Sequence, residues 1–382
     1  MKNLFSHIAC GWRALAFGFG LFSAAQAGAS LPEYTVAPEE QFPAVSPGTA
    51  TRLIVNSESL GDRMIVDVWF PPAYDAASAD SYPVVYVHDG QNLFDPALSF
   101  STVAWELDMT AANLAGAGKI VSPIIVGIHN RGSKNLRPND YFPEKAAGYI
   151  PEAGKDASLI WETCLAGFYG DEHASFVATE LKPLIDELYN TLPDRNHTFA
   201  MGSSMGALAS LYLLCEYPET FGGAACMSTH WIGSFKMNAD YSIQDDPICA
   251  RAILDYVAAN LPETEEYKLY LDQGTTGWDA DYQTYESEAR KIAGNHGYSV
   301  ADGTLMTYDA AGAGHNEWFW QQRAARPLTF LLSNFSDGIA DVETESAPAD
   351  SPLYDLSGRQ VALDPSPGVY IRGNVKVKIM RY

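Results

Sequence analysis

Gly202-Ser203-Ser204-Met205-Gly206 places a hydroxyl between two glycines where one sequence pattern gives way to another. His197–Met201, just before, is a β-prone run. A helix-forming apolar run begins at Met205 and stops at Pro218, which has no amide proton to continue a helix. Strand, tight turn and helix in that order let Gly-x-Ser-x-Gly lift a serine hydroxyl above a sheet edge, and the turn needs small neighbours. The start of a helix beside Ser204 also favours negative charge developing there. The chemistry implied is nucleophilic attack on a carbonyl carbon.

A hydroxyl attacks poorly until an imidazole removes its proton. In sheet enzymes of this kind an acid and then a histidine follow the serine. His230, His296 and His315 come after Ser204. His315 lies in Ala-Gly-Ala-Gly-His-Asn-Glu-Trp, a glycine-flanked loop between an expected strand and helix, and is the expected base. His296 reads as a helix-end residue, and His230 as a cleft residue. The acid is a choice between Asp272, closing a strand, and Asp279, opening the next helix. Either can fix the imidazole tautomer. Local residues do not separate them, although a strand-end aspartate has a ready role bonding turn amides, which favours Asp279. A tetrahedral oxyanion needs two donors. The backbone N–H of Met205 is one candidate. The other is the Gln91 amide in His88-Asp89-Gly90-Gln91-Asn92, where Gly90 gives the backbone room. A competing reading makes His88 and Asp89 metal ligands, but no third ligand stands at a telling spacing, so neither a metal nor a cofactor is expected.

The elements that must position these residues alternate. Apolar, β-branched runs are expected as strands over Met64–Phe70, Val84–His88, Ile124–Ile128, Thr198–Met201, Gly223–Met227, Lys268–Leu271 and Gly303–Tyr308. Helices are expected over His173–Asn190, Met205–Tyr217, Ala250–Asn260 and Tyr282–His296. Alternation of this kind predicts an α/β fold, a mostly parallel central sheet with helices on both faces.

The chain has 382 residues and a formal net charge of −23. Lys2 and Arg13, the apolar run Ala14–Ala25 and Ala25-Gln26-Ala27 read as a signal peptide over residues 1–27. An exported protein follows: secreted, at the cell surface or periplasmic. No stretch is expected to span a membrane. About 350 residues remain, enough for one large domain, placed at 31–335. Residues 336–352 are acidic and Pro-containing and read as a linker. Residues 353–382 form a small β-rich segment, similar to C-terminal sorting segments of some exported bacterial proteins but shorter, or else a β ribbon packed on the main body. The acidic balance excludes a basic nucleic-acid face. Cys164, Cys215, Cys226 and Cys249 permit a disulfide in an oxidising compartment, but their contexts favour buried thiols. The residues do not set the oligomeric state.

Four segments resemble the "Putative esterase" family of α/β-hydrolases, which includes S-formylglutathione hydrolases, feruloyl and acetyl xylan esterases, siderophore esterases and mycolyltransferases. They are Val85-Tyr-Val-His-Asp-Gly-Gln-Asn-Leu-Phe-Asp, Val126-Gly-Ile-His-Asn-Arg-Gly with Asp140-Tyr-Phe-Pro, the Ser204 turn, and Gly312-Ala-Gly-His. The resemblance spans residues 50 to 333 and implies an α/β-hydrolase fold, with Ser204 as nucleophile and His315 as base. It places the acid a few residues past a Gly-Thr pair, here Gly274-Thr275, and so implies Asp279. Ala207 departs from a frequent glycine and His129 from a frequent aspartate. The implied activity is that of a serine carboxylic-ester hydrolase. Export argues against a glutathione thioester. His230, Trp231, Trp278 and Trp318, with Tyr141, are expected to line a cleft for sugar rings or an aromatic acyl group. The expected substrate is therefore a small-molecule or polysaccharide ester, acetyl or feruloyl on carbohydrate. Acyl transfer on the same fold, or a non-catalytic carbohydrate-binding surface protein, are the alternatives.

Overall fold

The computed structural model describes residues 31–263 and 267–333, and beyond them the backbone of three short strands. The expected signal peptide (1–27) and linker (336–352) lie outside the described residues. Nine strands form one sheet: β1 (Tyr34–Val36), β2 (Thr49–Ser57), β3 (Asp62–Phe70), β4 (Val84–His88), β5 (Ile124–Ile128), β6 (Thr198–Ser203), β7 (Gly223–Met227), β8 (Lys268–Gly274) and β9 (Leu305–Ala310). Their spatial order is β1-β2-β3-β5-β4-β6-β7-β8-β9. The run from β5 to β9 is parallel, and β1 to β3 add an antiparallel flank through β3 and β5. This is the α/β-hydrolase arrangement, a large and mostly parallel sheet with helices around it.

Both faces of the sheet are covered. Along β4, Val84 and Tyr86 join one apolar cluster while Val85 and Val87 join another, as the two-residue period of a strand requires. The helix Met205–Glu216 is buried on every side from Met205 to Cys215, so its composition is apolar all round. The helical stretch expected over His173–Asn190 runs from Gly170 to Leu188, with a π-helical segment, Phe176–Leu181, in its middle. Pro183 follows that segment and donates no backbone hydrogen bond, which accounts for the local change of pitch.

The chain passes from β4 to β5 on one side and then crosses to β6 on the other. Ligands of open α/β sheets bind at such a reversal, beyond the carboxyl ends of the strands. That point lies between the loops following β4 and β6, where Gln91 and Ser204 are. Further on, Leu353–Tyr354, Gly368–Arg372 and Val375–Ile379 form a separate three-stranded antiparallel sheet. Among the described residues no helix is long and apolar enough to cross a membrane.

Candidate active site

Ser204 sits between β6 and its helix with φ 57° and ψ −126°, a conformation that non-glycine residues rarely adopt. Such strain costs on the order of 1–3 kcal/mol and persists only where surrounding bonds over-determine it. Here the Ser204 N–H donates to the Met227 carbonyl at 3.0 Å, and its own carbonyl accepts from Ala207 (3.1 Å) and His230 (3.2 Å). A methyl on Gly202 would overlap the Gly206 backbone carbonyl, and one on Gly206 would press on His88 and Asp89. Gly202→Ala is expected to destabilise the fold by about 2 kcal/mol or more, because backbone rather than a flexible side chain must yield. An unchanged denaturation midpoint would contradict this.

The structure brings Ser204, His315 and Asp279 together. His315 follows β9 through Gly312, at φ 78°, and precedes a short helix whose Asn316 side chain accepts from the Phe319 amide. Its Nε2 lies 2.8 Å from Ser204 Oγ and its Nδ1 2.6 Å from Asp279 Oδ1. Tyr282 and Trp320 meet the imidazole edge-on at 5.6 and 5.0 Å, and Trp278 tilts against it at 5.5 Å. Asp279 opens the helix Trp278–Asn295 and is fully buried. Its Oδ2 accepts from the Gly274 amide and the Ser228 hydroxyl, both at 2.6 Å. Burial pushes its carboxyl up, but bonds from His315, Ser228 and Gly274 outweigh that and hold it below its usual range. Gly274 has to be a glycine, since a methyl would overlap both Asp279 Oδ2 and the Ala313 carbonyl. That same carbonyl accepts from the Thr275 and Thr276 amides at 2.9 and 3.0 Å, which ties the acid loop to the histidine loop.

Asp272 is differently placed. Its oxygens accept from Arg323 (2.9 and 3.0 Å), the Tyr270 hydroxyl (2.7 Å) and the Ser228 amide (3.1 Å).

The oxyanion candidates follow neighbouring strands. Parallel pairing of Val87 with Met201 puts the loop after β4 next to the Ser204 turn. Met205 is the first residue of its helix, so its N–H has no acceptor within that helix. Gln91 lies in the single turn Gly90–Asn92, and its side chain accepts from the Asn130 amide at 3.3 Å. Asp89, left-handed at φ 60°, anchors this loop. Its carboxylate takes Arg137 at 2.8 and 2.6 Å and Asn130 at 2.6 Å, and its N–H donates to the Tyr141 hydroxyl at 3.1 Å. Burial pushes that carboxyl up, and the Arg137 charge overrides it, leaving it below the usual range. His88 Nδ1 is 2.9 Å from Ser210 Oγ, and burial holds its imidazole down at about 4. Among the described residues no group of three or more potential ligands could hold a metal. The four described cysteines are free and buried.

Three expected cleft residues need correcting: His230, Trp231 and Tyr141. His230 and Trp231 have no exposed surface. The backbone turns inward at Ser228, φ 43°, and carries both rings under the site. His230 Nε2 donates to the Ser234 carbonyl at 2.9 Å, so Nδ1 accepts from the Tyr282 hydroxyl at 2.6 Å, and burial holds the ring neutral down to about 3. Trp231 Nε1 donates to Glu286 at 2.8 Å. Tyr141 is likewise buried. Trp278 is half-buried against His315, with Nε1 bonded to the Tyr241 carbonyl at 3.0 Å, and Trp318 is 56% exposed. The residues that sequence reasoning missed are Ser228, Trp320, Arg323 and Phe235, whose ring stacks on His230 at 4.3 Å. Trp320 lies near the end of the short helix after His315, and Arg323 sits in the turn that follows it, its N–H donating to the Trp320 carbonyl at 3.2 Å.

Residues 57–330 match the protein family described as "Putative esterase". Over 178 residues the chain is 25% identical to the uncharacterized protein YbbA of Bacillus subtilis, covering 46% of this chain and 61% of that one. The chain thus spans less than two thirds of that relative's length. A ferulic acid esterase structure is similar with a TM-score of 0.52 and 19% identity, over 75% of this chain and 98% of its own. The enterobactin esterase FES of Shigella flexneri gives 0.51 and 16%, over 78% and 63%. An IroE-like serine hydrolase of Shewanella oneidensis gives 0.50 and 16%, over 74% and 79%. At these identities the structural likeness is one of fold.

Proposed function

The chain belongs to the "Putative esterase" family, and from that premise we propose that it is a serine carboxylic-ester hydrolase acting through an acyl-enzyme on acetyl or feruloyl esters of carbohydrates. The observation that carries this reading is the bonded series Ser204–His315–Asp279, with separations of 2.8 and 2.6 Å. His315 Nε2 takes the Ser204 proton as Oγ attacks the ester carbonyl carbon. Asp279 holds the imidazole with its proton on Nδ1 and stabilises the imidazolium. The amides of Met205 and Gln91 receive the oxyanion. As the tetrahedral intermediate collapses, the C–O bond to the alcohol breaks and His315 returns the proton to it. Water, deprotonated by the same histidine, then attacks the acyl carbonyl; the C–Oγ bond breaks, His315 returns the proton to Ser204 Oγ, and the acid leaves.

The carbohydrate part of the proposal rests on two aromatic surfaces, Trp278 against the base and the exposed Trp318 three residues after it in the chain, because such faces stack on sugar or aryl rings. It also rests on the exported location expected from residues 1–27. A feruloyl substrate has its precedent in the ferulic acid esterase of the same fold. The test is a panel of acetylated xylan, feruloylated arabinoxylan and simple aryl acetates. Release of acetate or ferulate from polysaccharide is expected, abolished by a fluorophosphonate. Turnover of aryl esters alone would overturn the carbohydrate assignment. Turnover indifferent to the fluorophosphonate would overturn the acyl-enzyme.

A further inference from the structure

Behind Asp279 lies a second set of buried groups to which the proposed mechanism gives no role. Ser228 Oγ is 2.6 Å from Asp279 Oδ2, 3.0 Å from Trp320 Nε1 and 2.6 Å from Arg323 Nη2. Indole and guanidinium nitrogens only donate, while a serine hydroxyl has one hydrogen and two lone pairs. Trp320 and Arg323 therefore fill both lone pairs, and the single hydroxyl proton has one remaining direction, toward Asp279. Arg323 is held in turn by its two-pronged contact with Asp272, at 2.9 and 3.0 Å, and Asp272 by Tyr270 and the Ser228 amide. Ser228, Asp272, Tyr270 and Arg323 are all buried. Ser228 occupies a left-handed backbone conformation, φ 43°, which favours glycine. A strained serine at a site where its hydroxyl makes three bonds is a feature kept for the hydroxyl.

We propose that Ser228 and Arg323, braced by Asp272, are positioning residues that keep Asp279 ionised and in one orientation, and so set the pH range over which His315 accepts the Ser204 proton. This rests on the esterase reading, since it assigns further residues to that same site. With Ser228 and Gly274 both donating to Oδ2, Asp279 presents only Oδ1 to the imidazole. The hydroxyl also draws charge away from Oδ1. Without it, more negative charge faces His315 and the imidazolium is favoured, so the base stays protonated to a higher pH. The carboxyl itself would also bind a proton more readily. Both effects move the acid limb of the activity profile upward. The other titratable or charged groups facing this pair are His230 and Tyr282, with Arg137 near His230, Glu317 near Arg137 and Asp281 near Tyr282. None of them bonds to Ser228.

The experiment is kcat and kcat/KM against pH on p-nitrophenyl acetate for the full chain, Ser228→Ala and Arg323→Lys. Lysine keeps the charge but lacks the fork that spans Asp272 and Ser228. Ser228→Ala is expected to lower kcat by roughly ten-fold with KM nearly unchanged, the scale of one hydrogen bond to a charged group. Its acid limb is expected to rise by about half a pH unit or more. Arg323→Lys should shift the limb in the same direction by less. A folded variant of either kind whose acid limb superimposes on that of the unaltered chain overturns the proposal, even if its kcat falls, because a purely structural loss would not move the limb. If Ser228→Ala does not fold, Arg323→Lys decides by the same criterion. Failure of the esterase reading would show separately, in an unaltered chain whose Ser204 does not react with a fluorophosphonate.

Discussion

Ser204→Ala is expected to lower kcat/KM on p-nitrophenyl acetate by about 10⁴-fold or more while leaving the protein as stable as before. The two halves of this prediction have separate physical origins. Ser204 Oγ is the atom in reach of His315 Nε2, and in a serine–histidine–carboxylate unit removal of one member forfeits the contribution of the whole. A loss of 10⁴ corresponds to about 5 kcal/mol of transition-state stabilisation. The fold, by contrast, depends on the Ser204 backbone through its bonds to Met227, Ala207 and His230, and alanine keeps all of these. The strain at φ 57° is the same for either residue. Strained active-site residues are often held at some cost in stability, so the melting temperature of the alanine variant should be unchanged or slightly raised. Near-normal turnover would end the assignment of Ser204. Lost turnover accompanied by a large drop in melting temperature would show that the residue had been misread as functional.

Much of this was legible in the chain because the relevant signals are local. Val84–His88, Ile124–Ile128 and Gly223–Met227 are strands with the expected bounds, since a short apolar run buried on both faces needs no distant information to be recognised. β1 and β2 were not anticipated. They lie on the antiparallel flank, where Thr49, Arg52 and Asn56 interrupt the apolar pattern, and their pairing is decided by β3. The pentapeptide around Ser204 is likewise local. A glycine before and after a strained serine is a steric requirement that can be read in five letters.

Side-chain direction was not legible. His230 and Trp231 follow β7 and were expected at the cleft, yet the turn at Ser228 sends them beneath it. The sequence does not announce that a serine will adopt φ 43°. Its N–H is held by Asp272 and its hydroxyl by Arg323 and Trp320, the last two nearly a hundred residues further on. The choice between two carboxylates seven residues apart depends on the same remote side chains. Local reasoning had to leave it open.

That choice yields the second large effect. Asp279→Asn is expected to lower kcat/KM by about 10⁴-fold, the scale known for the corresponding substitution in a serine protease, and Asp272→Asn by no more than roughly ten-fold. In Asp279→Asn the Oδ2 position still faces two donors, the Gly274 amide and Ser228 hydroxyl, so the amide oxygen must occupy it. The NH₂ group then falls where Oδ1 stood, 2.6 Å from His315 Nδ1. A donor there obliges Nδ1 to accept and moves the imidazole proton to Nε2, the nitrogen facing Ser204 Oγ. An Nε2 that already carries a proton has no lone pair left to accept the one on the serine. Asp272→Asn leaves this tautomer untouched. Its cost lies in Arg323, buried and deprived of its counter-charge, which should destabilise the fold by about 3–5 kcal/mol and show as a lower melting temperature. Measured together, kcat/KM and melting temperature separate the two roles. If the ranking of turnover were reversed, the imidazole would have to take its orientation from Asp272, and the 2.6 Å contact with Asp279 would be a packing contact alone.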